Sequence, residues 1–323
     1  MVKAIRIHKI GGPEVLQLDD IDLPPPGPGE ARIRHKAIGL NFLDTYYRTG
    51  LYPMPLPLVL GNEGAGDVLA LGKGVKGLKV GDRVGYAATL GAYAEERNIA
   101  ANVLVKLPKA ISYETAAAMM LKGLTAQYLL RQTFKVKKGH TMLVHAAAGG
   151  MGLLLCQWGK ALGATVIGTA GSAEKAALAK KAGAKHVVLY RDEDFVAKVN
   201  ELTKGKKCDV VYDGVGKDTF PGSLDCLKPL GMFVSFGSAS GAIPPFSIGL
   251  LSQKGSLFAT RPTLFTYTAL PGNLPKMARD LMRVVSSGKV KIPTPARYKL
   301  ADAAEAHRAL EGRQTTGASV LAP

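Results

Sequence analysis

The stretch Ala146-Ala147-Ala148-Gly149-Gly150-Met151-Gly152 carries the strongest chemical signal in the chain. Ala147, Gly149 and Gly152 stand at the three glycine positions of a G-x-G-x-x-G dinucleotide fingerprint. Small residues there let the backbone turn tightly and come close to a pyrophosphate. The helix that follows presents unpaired N–H groups and the positive end of its dipole to the phosphates. A tight strand-to-helix turn that binds nothing would use the same residues, so the context decides. Thr141 to Ala146 is strand-like and Gly152 to Leu162 is helical, which is the context the fingerprint needs.

A second signal is a missing carboxylate. About 20 residues past such a turn, an NAD enzyme carries Asp or Glu for the ribose 2′-hydroxyl. Here the second strand runs out through Gly168-Thr169-Ala170-Gly171-Ser172, with no acid. Ser172 can donate to a 2′-phosphate, Lys175 adds a positive charge nearby, and Tyr190 closes the third strand on the adenine side. This pattern favours NADP(H). The alternative is that Ser172 only caps a helix and Lys175 is only a solvated lysine. A third group, Asn41, Asp44, Tyr46 and Tyr52, clusters beside a Gly-rich stretch. Its tyrosines can form a substrate wall or pack in a core, and periodicity does not separate the two.

These residues need elements to hold them. Ala31-Arg32-Ile33-Arg34-His35-Lys36-Ala37 alternates with period two, as a half-exposed strand does. Seven glycines between Gly61 and Gly81 separate short apolar runs, which suggests a small β-barrel-like unit up to about residue 122. From there strand and helix patterns alternate. Strands are expected at Thr141–Ala146, Thr165–Thr169, His186–Tyr190, Asp209–Asp213, Gly231–Phe236 and Ser256–Thr260. Phe195, Val196, Val199 and Leu202 fall on one helical face. Repeated β-α units with apolar strands predict a parallel sheet covered on both faces, the doubly wound α/β class. Residues 264–323 are too few for a third domain and are expected to return to the first. The predicted division is 1–122 with 264–323, around 123–263.

Length and charge set the outer bounds. Dividing 323 residues by ~150 gives about two domains. Gly makes up 38 of the 323 residues, above the usual ~7%, which fits many tight turns. The net charge of +17 makes polyanion binding worth testing. Cys156, Cys208 and Cys226 are scattered and odd in number, so they suggest neither a disulfide framework nor a zinc motif. They suit a reducing, cytoplasmic setting. Gly139 to Gly159 lacks any charge, yet its histidines and its Gly149-Gly150 break argue for a buried strand, turn and helix start rather than a membrane span.

The motifs together resemble the medium-chain dehydrogenase/reductase superfamily, and within it the zeta-crystallin-like NADPH:quinone oxidoreductases. The likeness rests on Gly11-Gly12-Pro13-Glu14-Val15-Leu16, Asn41-Phe42-Leu43-Asp44-Thr45-Tyr46, Gly61-Asn62-Glu63-Gly64-Ala65-Gly66 and Leu121-Lys122-Gly123-Leu124-Thr125-Ala126. His145 to Gly152, Val211-Tyr212-Asp213, Val234-Ser235-Phe236-Gly237 and Thr260-Arg261-Pro262 extend it over nearly the whole chain. The resemblance implies a GroES-like catalytic domain built from both chain ends around a Rossmann domain. It places Ala148, Gly149, Gly150, Met151 and Gly152 at the pyrophosphate. It places Gly171, Ser172, Lys175 and Tyr190 at the 2′-phosphate end, and Asn41, Thr125, Phe236 and Gly237 along the nicotinamide half. Arg313 is a further cofactor candidate.

Zinc alcohol dehydrogenases of this superfamily carry Cys, His and Cys where this chain has Asn41, Asn62 and Lys122. An amide or an ammonium does not replace thiolate or imidazole, so no metal is expected. Without a Lewis acid, alcohol oxidation is disfavoured and reduction of an electrophilic acceptor stays feasible. The expected reaction is hydride transfer from NADPH to a quinone in a cleft between the domains. Asn41, Tyr46, Tyr52 and Arg261 are the catalytic candidates, the last as an oxyanion stabiliser or a structural residue at the hinge. Relatives on this scaffold also reduce enals or enoyl thioesters. A reading of another class is a nucleic-acid-binding protein that keeps NADPH, since some zeta-crystallins are associated with AU-rich RNA. Against it, the lysines are scattered and not interleaved with aromatics. A homodimer is expected from the family, with the edge strand near Ser256 to Thr260 pairing with its mate.

Overall fold

The computed structural model describes residues 1–293, 296–312 and 317–323. The chain forms two compact units, Met1–Leu124 with Leu274–Met282 and Ile292–Pro323, and Thr125–Asn273 with Arg283–Lys291. Residues 264–273 and 283–291, which the sequence pattern assigns to the first unit, fall in the second, and 123–124 fall in the first. Tyr267, in the helix Leu264–Ala269, stacks on Tyr128 with ring centroids 4.3 Å apart, and its hydroxyl lies 2.7 Å from Thr133 Oγ1. That contact holds the segment where it is.

The first unit is organised by the eleven-residue strand Glu30–Leu40. Its alternation predicts the burial that is found. Ala31, Ile33, His35 and Ala37 point inward, while Arg32, Arg34 and Lys36 keep their charges outside. Inward His35 is satisfied, with Nδ1 2.6 Å from Ala94 O and Nε2 2.7 Å from Tyr86 Oη. The strand is antiparallel to both Glu63–Leu71 and Ser319–Ala322. Gly66 lies against it, where a Cβ would stand 1.9 Å from Arg34 O, so no larger residue fits. The sheet has seven strands, and a smaller three-stranded sheet is built on Val2–Ile7. Ile5, Ile33, Ile38, Leu60, Tyr86, Tyr93 and Leu321 share one core.

The second unit is a six-stranded parallel sheet. Its order is His186–Leu189, Thr165–Ala170, Thr141–Val144, Cys208–Asp213, Leu227–Ser235, Phe258–Thr260. The chain winds outward from Thr141–Val144, then crosses back and winds the other way. The topological switch, where doubly wound sheets bind ligands, therefore lies beyond Val144. The helices Gly150–Ala161, Ala173–Lys181 and Phe195–Leu202 are capped by Gly149, Ser172 and Asp194. Val199 is buried against the sheet, with Phe195, Val196 and Leu202 around it, as the helical spacing predicts. The edge strand is shorter than its pattern suggests. Ser256 has φ +54°, a left-handed turn, so pairing begins at Phe258. Among the described residues no helix is long and apolar enough to cross a membrane.

Candidate active site

A tight strand-to-helix turn forms at the C-terminal end of Thr141–Val144. Ala146 turns left-handed at φ +51°, Ala147 N–H donates to Thr169 O at 2.9 Å, and the helix begins at Gly150. Ala147 and Ala148 are buried, Gly149 faces solvent and Met151 sits in the first helical turn. A Cβ on Gly152 would stand 2.4 Å from Ala146 O and 2.6 Å from Ala147 C and Cα. Only glycine lets the helix start this close to the turn. The first helical turn holds no acid and its N-cap makes no side-chain hydrogen bond, which suits phosphate.

A relay of buried side chains braces this turn. Ala146 N–H donates to Thr169 Oγ1 at 3.3 Å, and that hydroxyl lies 3.1 Å from His145 Nδ1. His145 Nε2 is 3.0 Å from Ser223 Oγ, which donates to Asp213 Oδ2 at 2.8 Å. The directions are consistent when His145 is neutral with its proton on Nε2, as assigned from its partners. Burial holds its pKa below the usual value, against the pull of Asp213. Asp213 also accepts Val215 N–H and Gly216 N–H, at 2.8 and 3.0 Å. The sequence marks His145 and Asp213 only as parts of matching motifs and Thr169 only as a strand residue, and it does not single out Ser223.

Beside the turn, Ser172 accepts Lys175 N–H at 3.3 Å and so caps its helix, as one of its two readings expects. Its side chain stays exposed, and Lys175 is half-buried. Tyr190 reaches the same place. A Cβ on Gly171 would stand 2.8 Å from the Tyr190 hydroxyl and 3.3 Å from Arg191 Nε. Arg191 was missed by sequence reading. The signal available was a cation directly after the third strand, at the end of the sheet where a 2′-phosphate would bind. Phe236 and Gly237 follow the strand Leu227–Ser235, and Gly237 packs so closely on Gly214 that a Cβ would be 2.5 Å from its carbonyl. Arg261 grips this loop, donating to Gly237 O at 2.7 Å and Ser235 Oγ at 3.1 Å. The structure thus gives Arg261 a bracing contact. Thr125 is half-buried in the helix Tyr113–Tyr128, and Arg313 lies outside the described residues.

In the first unit, Asn41 ends the strand Glu30–Leu40 and caps the helix Phe42–Arg48. Its backbone N–H donates to Asp44 Oδ2 at 2.9 Å. Asp44, fully buried, also accepts Asn62 Nδ2 at 2.9 Å and the Tyr93 hydroxyl at 3.0 Å. Burial lifts its pKa to about 6, while these three donors and Lys122 pull it down. Asn41 Nδ2 donates to Glu63 Oε2 at 2.9 Å, and Lys122 Nζ donates to Asn41 Oδ1 at 2.5 Å. Tyr46 and Tyr52 meet edge to face at 5.5 Å, with Phe42 and Tyr47 beside them. Tyr46 is half-buried and Tyr52 exposed, so this cluster offers aromatic surface to a planar molecule.

A GroES-like alcohol dehydrogenase domain model matches residues 27–138, and a zinc-binding dehydrogenase model matches residues 150–279. A quinone oxidoreductase of Pseudomonas aeruginosa is 54% identical over the whole of both chains. The chain belongs to the quinone oxidoreductases of the medium-chain dehydrogenase/reductase superfamily. The crystal structure of Escherichia coli quinone oxidoreductase complexed with NADPH is similar, with TM-score 0.97 and 51% identity. The match covers 99% of this chain and 100% of that one. A 2-haloacrylate reductase of Burkholderia sp is 46% identical across the full chain and 99% of its own length. The expected Rossmann and GroES-like fold class stands on these matches.

The zinc in one family model's description finds no suitable donors at the three expected positions. Asn41 Oδ1 is taken by an ammonium, Asn62 Nδ2 by Asp44, and Lys122 is itself a cation. Among the described residues no three His, Cys, Asp or Glu side chains are grouped to hold a metal. A dinucleotide does fit, because the space a Cβ would fill at Gly152 is a backbone cradle at a helix N-terminus.

Proposed function

We propose that the chain is an NADPH-dependent quinone reductase that uses no metal. The observation that carries the cofactor choice is the end of Thr165–Ala170, where no acid stands from Gly168 to Ser172 and the side chains of Tyr190 and Arg191 lie against Gly171, next to the N-cap Ser172. The full-length quinone oxidoreductase relatives support the acceptor. When bound, NADPH supplies a hydride from its nicotinamide C4 and the acceptor takes it up.

The chain's own residues bind, orient and exclude. The N–H groups from Gly149 to Gly152 hold the pyrophosphate, with Ala148 and Met151 shaping the turn. Ser172, Lys175, Tyr190 and Arg191 hold the 2′-phosphate, and Arg313 adds to the cofactor contacts. Thr125, Phe236 and Gly237 serve the nicotinamide half, with Arg261 keeping the Phe236-Gly237 loop in place. Asn41 orients the nicotinamide or the acceptor oxygen, and Tyr46 and Tyr52 stack on a planar acceptor. A quinone needs little acid catalysis, so positioning supplies most of the rate. The 2-haloacrylate reductase relative favours a second reading, reduction of a conjugated alkene.

Cofactor choice gives a clean variant. Ser172→Asp keeps an N-cap side chain of the best kind, so the helix survives. It places a carboxylate where the 2′-phosphate would bind. NADPH affinity should fall about tenfold or more, ~1.4 kcal/mol or above, with NADH affinity unchanged or improved. Equal losses for both nucleotides in a fluorescence titration would contradict the assignment. The reading as a whole is tested by turnover with purified quinones, enals and enoyl thioesters.

The partner assigned to the sheet edge is a second copy of the chain. Phe258 on the edge strand is 56% exposed, and Leu230 and Ile248 in the same unit are 66% and 78% exposed. Strand pairing across a two-fold axis would cover an open edge. A monomeric mass in solution would count against it.

A further inference from the structure

Two buried charges in the first unit have no part in the reaction described above. Glu63 is fully buried, and the Lys122 side chain is 12% exposed. Burying ions is costly unless their geometry returns the energy. Here each makes directed contacts. Glu63 Oε1 accepts Leu121 N–H at 2.7 Å and Oε2 accepts Asn41 Nδ2 at 2.9 Å. Lys122 Nζ donates to Asn41 Oδ1 at 2.5 Å and to Leu40 O at 3.3 Å, and lies 3.7 Å from Glu63 Oε2. Gly39 walls the carboxylate in. A Cβ there would stand 2.5 Å from Glu63 Oε2 and 2.2 Å from Ala117 O.

The Asn41 amide is therefore held at both ends, its oxygen by a cation and its nitrogen by an anion. The flipped amide would set N–H against ammonium and carbonyl oxygen against carboxylate, two repulsive contacts at once. Of the two Nδ2 hydrogens, Glu63 takes one, and the second is the only side-chain donor left. We propose that Glu63 and Lys122 are positioning residues that lock Asn41 in one amide orientation and so aim that remaining N–H at the acceptor oxygen or the nicotinamide amide. The proposal rests on the quinone reductase reading. It accounts for the carboxylate as well as the lysine. A glutamine in place of Glu63 has one acceptor oxygen, and two donors, Leu121 N–H and Asn41 Nδ2, need one each.

The test compares Lys122→Met, Glu63→Gln and the double variant E63Q/K122M with the unaltered protein. Four quantities are read: NADPH affinity by fluorescence, kcat and KM with 1,4-benzoquinone, thermal midpoint, and the Asn41 side-chain amide signal in ¹⁵N NMR, assigned by its loss in Asn41→Ser. Each single variant should lower kcat about tenfold or more, with NADPH affinity and KM within about twofold. In the double variant the new side-chain amide at position 63 can donate to Asn41 Oδ1, and no ammonium opposes the flip. The thermal midpoint should then recover while kcat stays low. If kcat recovers together with the midpoint, or stays at the unaltered value in variants that fold, the pair is only structural and the proposal falls. In the unaltered protein the Asn41 amide protons should exchange slowly, and exchange at the rate of a free amide would also overturn it. That signal is read without turnover. Failure of the unaltered protein to oxidise NADPH with any quinone would instead remove the functional reading, leaving the locked amide to be judged by NMR.

Discussion

Gly152→Ala should cost the chain its dinucleotide affinity. The added Cβ meets Ala146 O at 2.4 Å and two backbone atoms of Ala147 at 2.6 Å. None of these is the end of a flexible side chain, so the helix must move away from the turn. Ala146 is already left-handed at φ +51°, and His145, Thr169, Ser223 and Asp213 pin the turn from beneath. The N–H groups proposed to meet the phosphates would then shift with the helix. An NADPH Kd raised by about a hundredfold, roughly 2.7 kcal/mol, is the expected result in a fluorescence titration. Gly149→Ala is the internal comparison. Its Cβ has one near neighbour, Ala146 O at 3.2 Å, so its effect should be much smaller. Equal losses for the two variants would show that the turn does not bind the cofactor in this way.

Arg48→Met should produce the largest loss of stability among single side-chain changes near the Asn41 helix. Arg48 is a fully buried guanidinium at the end of that helix. It donates to Glu311 through two nitrogens at 2.6 and 3.0 Å, to His307 Nδ1 at 2.8 Å and to Gly11 O at 3.0 Å. His307 Nε2 in turn lies 3.0 Å from the Tyr93 hydroxyl, which donates to Asp44. Methionine keeps bulk and loses every one of these bonds, leaving His307 Nδ1 without a donor. Glu311 is 35% exposed and can turn to water, so the cost is mainly that of the buried His307 and Gly11 acceptors left unpaired, about 1–3 kcal/mol, a fall of roughly 2 °C or more in the first thermal transition.

Two buried histidines, His307 in this network and His35 outside it, make the protein acid-sensitive. Burial, with the Arg48 charge, holds His307 down to about 3, and burial chiefly holds His35 at about 3. The unfolded chain protonates these rings near 6.5 while the folded one does not. Their contribution to stability is full above ~6.5 and is lost as pH falls, by roughly 2 kcal/mol per histidine at pH 5. Asp44 acts in the opposite sense. Its pKa, raised to about 6, means the folded chain holds that proton more tightly, so its contribution fades as pH rises from ~4 through 6. Melting curves at pH 7.5 and 5.5 should show a net loss on acidification. The gap between Arg48→Met and the unaltered protein should narrow at the lower pH, because one cause of the depressed His307 pKa is gone. A variant melting within 1 °C of the unaltered protein at neutral pH would refute the role given to Arg48.

The parts legible in the sequence were those set by local pattern. Alternation in Ala31–Ala37 gave strand and facing together, and six apolar runs between β-α turns gave the parallel sheet. The tight turn after Val144 was readable because steric demand falls on single residues, Gly152 above all. What was not legible depends on residues far apart in the chain. Lys122 and Glu63 lie 59 positions apart and acquire meaning only where the helix Tyr113–Tyr128 meets the end of Glu30–Leu40. Arg191 reaches Gly171 because of how the chain turns after Leu189, which no periodicity encodes. Arg261 reads equally as an oxyanion stabiliser or a brace in the sequence, which carries no sign of its contacts with Ser235 and Gly237. The left-handed Ser256 and the Tyr128–Tyr267 stack shifted two expected boundaries for the same reason. Each is a tertiary contact, or a backbone state permitted by one.

The central claim is that this chain passes reducing equivalents from NADPH to a quinone. It is tested most directly by mixing purified protein, treated with a chelator, with NADPH or NADH. Nucleotide oxidation is then followed on adding 1,4-benzoquinone, 2-hexenal, 2-chloroacrylate or crotonyl thioester. The account predicts rapid oxidation of NADPH by the quinone, a much slower reaction with NADH, and little turnover of the alkenes. Turnover confined to the alkenes, or a strict need for added metal, would contradict it.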